Sequence, residues 1–146
     1  MRRRGCRSVV GYDWRNQTKN ANGVSVIEKS GLQRKDIGLA VIGAGRIGSM
    51  RARLASAHAG VRFIGIADIN EVAAKALAEK CGASVTSADS LEIISNPAIN
   101  TVIVATGEHQ HVEPVLQALQ LGKHVLVEKP IALKLEDADQ MIAAAA

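Results

Sequence analysis

From residue 36 onward the chain alternates unbroken apolar runs with stretches in which apolar residues recur every three or four positions. The runs at 37–42, 61–67, 101–105 and 123–127 predict strands buried on both faces, because no polar residue alternates through their centres. Between them, residues 46–58 predict a helix with Ile47, Met50, Leu54 and Ala57 on its apolar face. Residues 70–80, rich in Ala, predict a second helix that ends at Gly82. A short strand near 83–85 and a short helix at 90–95 follow, broken by Asn96-Pro97. Residues 109–120 predict a helix whose start Pro114 must delay or bend, and Gly122 ends it. Residue 132 opens a last helix that runs to the terminus. Apolar strands joined by helices of 10–13 residues predict an α/β domain, a doubly wound, Rossmann-type parallel sheet.

The composition suits that architecture. Of 146 residues 47% are hydrophobic and 2% aromatic, so the core must be built from Ala, Val, Ile and Leu. The scarcity of aromatics also argues against a stacking platform for single-stranded nucleic acid. No stretch approaches the roughly 20 apolar residues of a membrane-spanning helix. Cys6 and Cys81 are too far apart for a zinc pair and read as free thiols of a cytoplasmic protein.

Charge divides the chain into two parts. Residues 1–35 carry a net +7 and residues 36–146 a net −3, which together make the chain's +4. The basic character therefore belongs to the N-terminal extension, which shows no sustained period and reads as disordered. It lacks the apolar core of a secretory signal. The domain at 36–146 gives no electrostatic support for nucleic-acid binding.

The strongest chemical signal follows the first strand: Gly43-Ala44-Gly45-Arg46-Ile47-Gly48. Gly43 permits a tight turn, Gly45 lets a pyrophosphate approach the backbone, and Gly48 lets the helix pack closely on the sheet. The phosphates would sit on the free N–H groups of the helix N-terminus. Asp68, at the end of the second strand, stands where a carboxylate can accept from both ribose hydroxyls. The bland alternative is a glycine-rich turn followed by an N-cap Asp. A carboxylate at 68 repels a 2′-phosphate and neither Ile69 nor Asn70 would pair one, so NAD is favoured over NADP; Arg46, within the loop, could still reach a phosphate and leaves NADP open.

Two further clusters lie at strand ends, where the ligand crevice of an open α/β sheet opens. Ala105-Thr106 and, five residues on, His111 follow one strand; Glu128-Lys129-Pro130 follows the next. The Lys129 ammonium is placed to hold a substrate hydroxyl or to take part in proton transfer. His109 and His111, flanked by Glu108 and Glu113, read as a loop and a helix start rather than a metal site.

These three motifs in order resemble the nucleotide-binding half of the Gfo/Idh/MocA oxidoreductases, over roughly residues 37–142. The resemblance implies that Gly43, Gly45, Arg46, Ile47, Gly48, Asp68, Ala105 and Thr106 hold the dinucleotide, with Thr106 and His111 beside the nicotinamide. It implies that Glu128 positions the nicotinamide ribose and that Lys129 contacts the oxygen of the reacting carbon. Many family members have Pro after the Ala-Thr pair, where this chain has Gly107. Family members also continue into a second α/β domain that forms the pocket for a sugar or polyol and supplies an Asp and a His; residues 36–146 contain no such domain. Three expectations follow: the cofactor half of a sugar or polyol dehydrogenase that is inactive by itself, a stand-alone or partner-dependent nucleotide module, or a non-functional remnant.

Overall fold

In the computed structural model of the chain, which describes residues 36–146 together with Thr18–Lys19 and Ser25–Val26, the apolar runs become the strands of one sheet. Two units divide the chain, Met1–Arg34 and Lys35–Ala146. In the first, β1 (Thr18–Lys19) pairs antiparallel with β2 (Ser25–Val26). Here a ladder forms where the sequence shows no period. Asn22-Gly23, a dipeptide suited to a tight hairpin turn, lies between the two strands in sequence. The expectation of disorder for the rest of residues 1–35, and Cys6, lie outside the described residues.

The second unit runs β3 (Ile37–Ile42), α1 (Arg46–Ser56), β4 (Val61–Ala67), α2 (Glu71–Cys81), β5 (Val85–Ser87), α3 (Ser90–Ile94), β6 (Thr101–Val104), a 3₁₀ turn (Glu108–Gln110), α4 (Val112–Gln120), β7 (His124–Val127) and α5 (Leu135–Ala145). The sheet order is β5-β4-β3-β6-β7, and every pairing is parallel. The chain winds outward from β3 through β4 to β5, then crosses back to β6 and β7, so the winding reverses between β3 and β6.

Each strand contributes to two cores because successive side chains point to opposite faces. Leu39 and Val41 of β3 pack with Ile64, Ile66, Ala52, Ala74 and Leu77 under α1 and α2. Ala40 and Ile42 pack with Val102, Val104, Ile93, Val115, Ala118 and Met141 on the face covered by α3, α4 and α5. The core is aliphatic, and Phe63 only borders it. Cys81 is buried and free, and its burial pushes the thiol above its ordinary value, so it stays protonated near neutral pH.

Several predicted boundaries shift. The short strand lies at Val85–Ser87 rather than 83–85, because it pairs with Gly65–Ala67 of β4. The last helix begins at Leu135 rather than residue 132. α4 begins only at Val112, which places Pro114 in the first turn, where its missing N–H is harmless. The larger correction concerns α1. Its buried residues are Gly48 and Ala52, whereas Met50, Leu54 and Ala57 are exposed, Leu54 by 66%. The helix lies too close to the sheet for large side chains, so the small residues face inward.

Ile66, fully buried in β4, tests the core. Ile66→Ala should cost about 2–5 kcal/mol in urea unfolding, and a loss below about 1 kcal/mol would contradict this packing.

Candidate functional site

The reversal between β3 and β6 leaves a crevice at their carboxyl ends. Gly43 leaves β3 with φ +102°, a conformation that L side chains rarely adopt, and a Cβ there would stand 2.6 Å from the Ala105 carbonyl oxygen. Only glycine lets the β3 and β6 exits run this close. At Gly48 a Cβ would overlap the Gly43 carbonyl oxygen. At Gly45 the opposite holds: a Cβ would meet no atom within 4 Å, so the space beside it belongs to the crevice. Gly43 thus makes the tight turn and Gly48 the close helix–sheet contact expected of them, while Gly45 leaves its side of the loop open.

The N-terminus of α1 faces that space bare. Its N-cap is Gly45, which has no side chain to cap with, and its first turn holds no acid. Every other α-helix of the described residues has a capping side chain, an acidic first turn or both: Asn70 and Glu71 on α2, Asp89 and Glu92 on α3, Glu113 on α4, Glu136 and Asp137 on α5. The free N–H groups and the positive end of the dipole are thereby left for an external anion.

Asp68 stands at the end of β4, half-buried. Its Oδ2 accepts from the Ala44 N–H at 2.6 Å and its Oδ1 from the Asn70 N–H at 2.8 Å. The N-cap of α2 is Asn70, whose Oδ1 accepts from Ala73 N–H at 3.1 Å, so the N-cap reading of Asp68 does not apply. Each carboxylate oxygen keeps a further lone-pair direction for a hydroxyl donor.

A cleft of about 730 Å³ brings together Gly43, Gly45, Asp68, Ala105 and Thr106. Ile69, 81% exposed, and Leu116 add apolar wall. The wall thus offers apolar surface, the accepting carboxylate of Asp68 beside the glycine loop and the carboxylate of Glu113. Arg46, Ile47 and Gly48 belong to α1 behind the loop and are not among the residues lining the cleft. His109 lines it beside Gly107, whereas His111 is turned inward, so the two imidazoles do not converge.

The second cluster lies at the next strand end and outside the cleft lining. The Glu128 N–H donates to the Val104 carbonyl at 3.0 Å, extending the β6–β7 ladder. Its carboxylate is taken by Arg51 of α1: Nε donates at 2.7 Å and Nη2 lies 2.6 Å away, both on Oε1. Lys129 is exposed, and no hydrogen bond or ion pair of its ammonium occurs among the described residues. His111 is 1% exposed, with Nδ1 2.9 Å from the Pro130 carbonyl oxygen and Nε2 3.2 Å from that of Thr106. Sequence reasoning missed Arg51. The signal was its place three residues after Gly48, on the sheet-facing side of α1, where a cation requires a partner.

Two outcomes follow from this geometry. Gly48→Ala should destabilise the domain by about 1–3 kcal/mol through overpacking, whereas Gly45→Ala should cost at most about 1 kcal/mol, the loss of a good N-cap residue; equal losses in urea unfolding would contradict the assignment. A double-mutant cycle of Arg51→Ala and Glu128→Ala should return a coupling of about 1 kcal/mol, and additive losses would show that the pair joins nothing.

The sequence profile of the oxidoreductase family with an NAD-binding Rossmann fold matches residues 37–146. An uncharacterized oxidoreductase of Streptococcus pneumoniae is 39% identical over 102 residues, which cover 70% of this chain and 27% of that protein. Myo-inositol 2-dehydrogenase of Thermotoga maritima is 34% identical over 104 residues, covering 71% of this chain and 31% of the enzyme. Among solved structures, GenD2 from gentamicin A biosynthesis in complex with NAD superposes with a TM-score of 0.71 at 32% identity, over 76% of this chain and 32% of that one. Myo-inositol dehydrogenase of Lactobacillus casei, solved with NAD(H) and myo-inositol, gives 0.68 at 28% identity, over 74% and 32%. The chain thus spans about a third of the length of these relatives, and it belongs to the Gfo/Idh/MocA oxidoreductase family through their NAD-binding Rossmann domain.

Proposed function

We propose that residues 36–146 bind NAD in this cleft and form the cofactor half of an oxidoreductase acting on a CH–OH group of a sugar or polyol. The observation that carries the reading is the open space at Gly45 beside the uncapped end of α1, with Asp68 a few residues' reach away across the loop. In this reading the pyrophosphate lies beside Gly45, which lines the cleft, and points toward the uncapped start of α1 behind it. Asp68 accepts from the adenosine ribose hydroxyls, and its negative charge repels the 2′-phosphate of NADP. The adenine rests against Ile69 and Leu116, and Ala105 and Thr106 border the phosphates. When bound, the nicotinamide accepts or donates a hydride. Lys129 then serves the substrate, its ammonium donating to the oxygen of the reacting carbon.

Glu128 acts at one remove. Since Arg51 occupies its carboxylate, it holds its strand end in place, and only its second oxygen is open to a ribose hydroxyl. The relatives named as inositol dehydrogenases support the substrate class. Turnover requires the remaining two-thirds of such an enzyme, whether as further sequence or as a partner chain. Ile131, Leu133, Leu135 and Ile142 are exposed by 44–81%, an apolar surface that supports a partner-dependent form. Cytoplasmic residence accords with the free thiol of Cys81, and no helix of the described residues is long and apolar enough to cross a membrane.

Thermal unfolding with added nucleotide tests the reading. At about 100 times its dissociation constant a ligand adds roughly 2.7 kcal/mol, which raises the midpoint of a domain of this size by several degrees. NADH should give that shift and NADPH much less. Asp68→Ala should remove the preference, and Lys129→Ala should leave the NADH shift nearly intact. An unfolding curve indifferent to both nucleotides would overturn the proposal.

A further inference from the structure

His111 is the one polar side chain among the buried residues described, and both of its ring nitrogens face carbonyl oxygens. A carbonyl can only accept, and a neutral imidazole carries a single N–H, so the neutral ring donates to one of the two carbonyls and packs against the other, while only the imidazolium donates to both. The two carbonyls belong to different parts of the site. Thr106 lines the cleft at the end of β6, and Pro130 directly follows Lys129 beyond the end of β7. One buried imidazole therefore spans the two loops, with contacts of 3.2 Å and 2.9 Å. A buried ring cannot exchange these partners for water, and burying a polar group without a partner is unfavourable. A shift of the Thr106 carbonyl must accordingly be answered by the ring, and through the ring by Pro130.

The other side of the same turn is fixed by different means. Glu128 is held by Arg51 and by its own N–H on Val104. Lys129 thus stands between an anchor on α1 and a link to the cleft. Of the two, only the link through His111 touches a residue that lines the cleft.

We propose that His111 is a positioning residue that relays occupation of the nucleotide cleft at Thr106 to the backbone of the turn carrying Lys129. The inference rests on the nucleotide reading above and replaces direct contact of His111 with the cofactor, since neither ring nitrogen is free. It concerns how Lys129 is placed rather than what Lys129 does.

The test is amide NMR of the full chain titrated with ADP. This probe has the adenosine and pyrophosphate of NAD and lacks the nicotinamide ribose and ring, so it reaches the glycine loop and Thr106 but not the turn after β7. Gly45 and Gly107 report the cleft. Ile131, whose N–H shares a peptide unit with the Pro130 carbonyl, reports the far end of the relay. In the wild-type chain ADP should shift Gly45, Gly107 and Ile131 together, with one dissociation constant. In His111→Gln the Gly45 and Gly107 shifts should persist and the Ile131 shift should disappear.

Wild-type shifts at Gly45 and Gly107 with Ile131 silent would overturn the proposal whether or not the variant folds. An Ile131 shift that survives in a folded His111→Gln variant would overturn it too. Silence at Gly45 would refute the nucleotide reading, and this inference with it, so the two failures are told apart. A purely structural role for His111 predicts a loss of stability and no selective loss at Ile131.

Discussion

The site depends on how closely α1 approaches the end of β3. The Gly43 carbonyl lies where a side chain on residue 48 would be, and Ala52 continues the same narrow contact one turn later. This close seat aims the N-terminus of α1 at the crevice. It also puts Arg51, on the same side of the helix, within reach of Glu128 at the end of β7. A wider helix–sheet gap would move the dipole away from the crevice and leave the Glu128 carboxylate, 17% exposed, without its cation. The small residues are the condition for both the anion site and the anchor of the neighbouring turn.

That condition explains what was legible in the sequence and what was not. Strand runs such as Ile37–Ile42 show directly, because burial on both faces removes every polar residue from them. The glycine spacing shows as well: at Gly43 and Gly48 the neighbouring backbone excludes a side chain. The inward face of α1 did not show. Periodicity assigns the largest apolar residues to the core, whereas close packing selected Gly48 and Ala52 and turned Leu54 outward. The 83–85 strand was misplaced by two residues because its register is set by β4, a partner far away in sequence. The contacts of His111 were hidden because backbone carbonyls, which carry no residue identity, are its partners.

Electrostatics divide the site in the same way. The domain carries a net negative charge, and the proposed anion site is built from backbone N–H groups at the start of α1. Arg51, near the glycine loop in sequence, is held by Glu128, and the first-turn N–H groups of α1 have no side-chain cap. Fixed peptide dipoles lose little entropy on binding, whereas a long cationic side chain must be ordered. Asp68 and Glu113 both line the cleft, and Asp68 is the acid that stands beside the glycine loop, on the Ala44 N–H.

Lys129 presents the contrasting case. It is exposed and unpaired among the described residues, while its neighbours make contacts, Glu128 with Arg51 of α1 and Pro130 with His111. An exposed, unpartnered ammonium suits the proposed contact with a ligand. It would suit a structural lysine poorly, as the comparison with Lys123 makes plain: there Nζ donates to the Ile99 carbonyl at 2.6 Å and to that of Asn96 at 3.4 Å, and the side chain ties two loops together. The two lysines flank β7, one before it tied to the Asn96–Ile99 segment and one after it without a partner among the described residues.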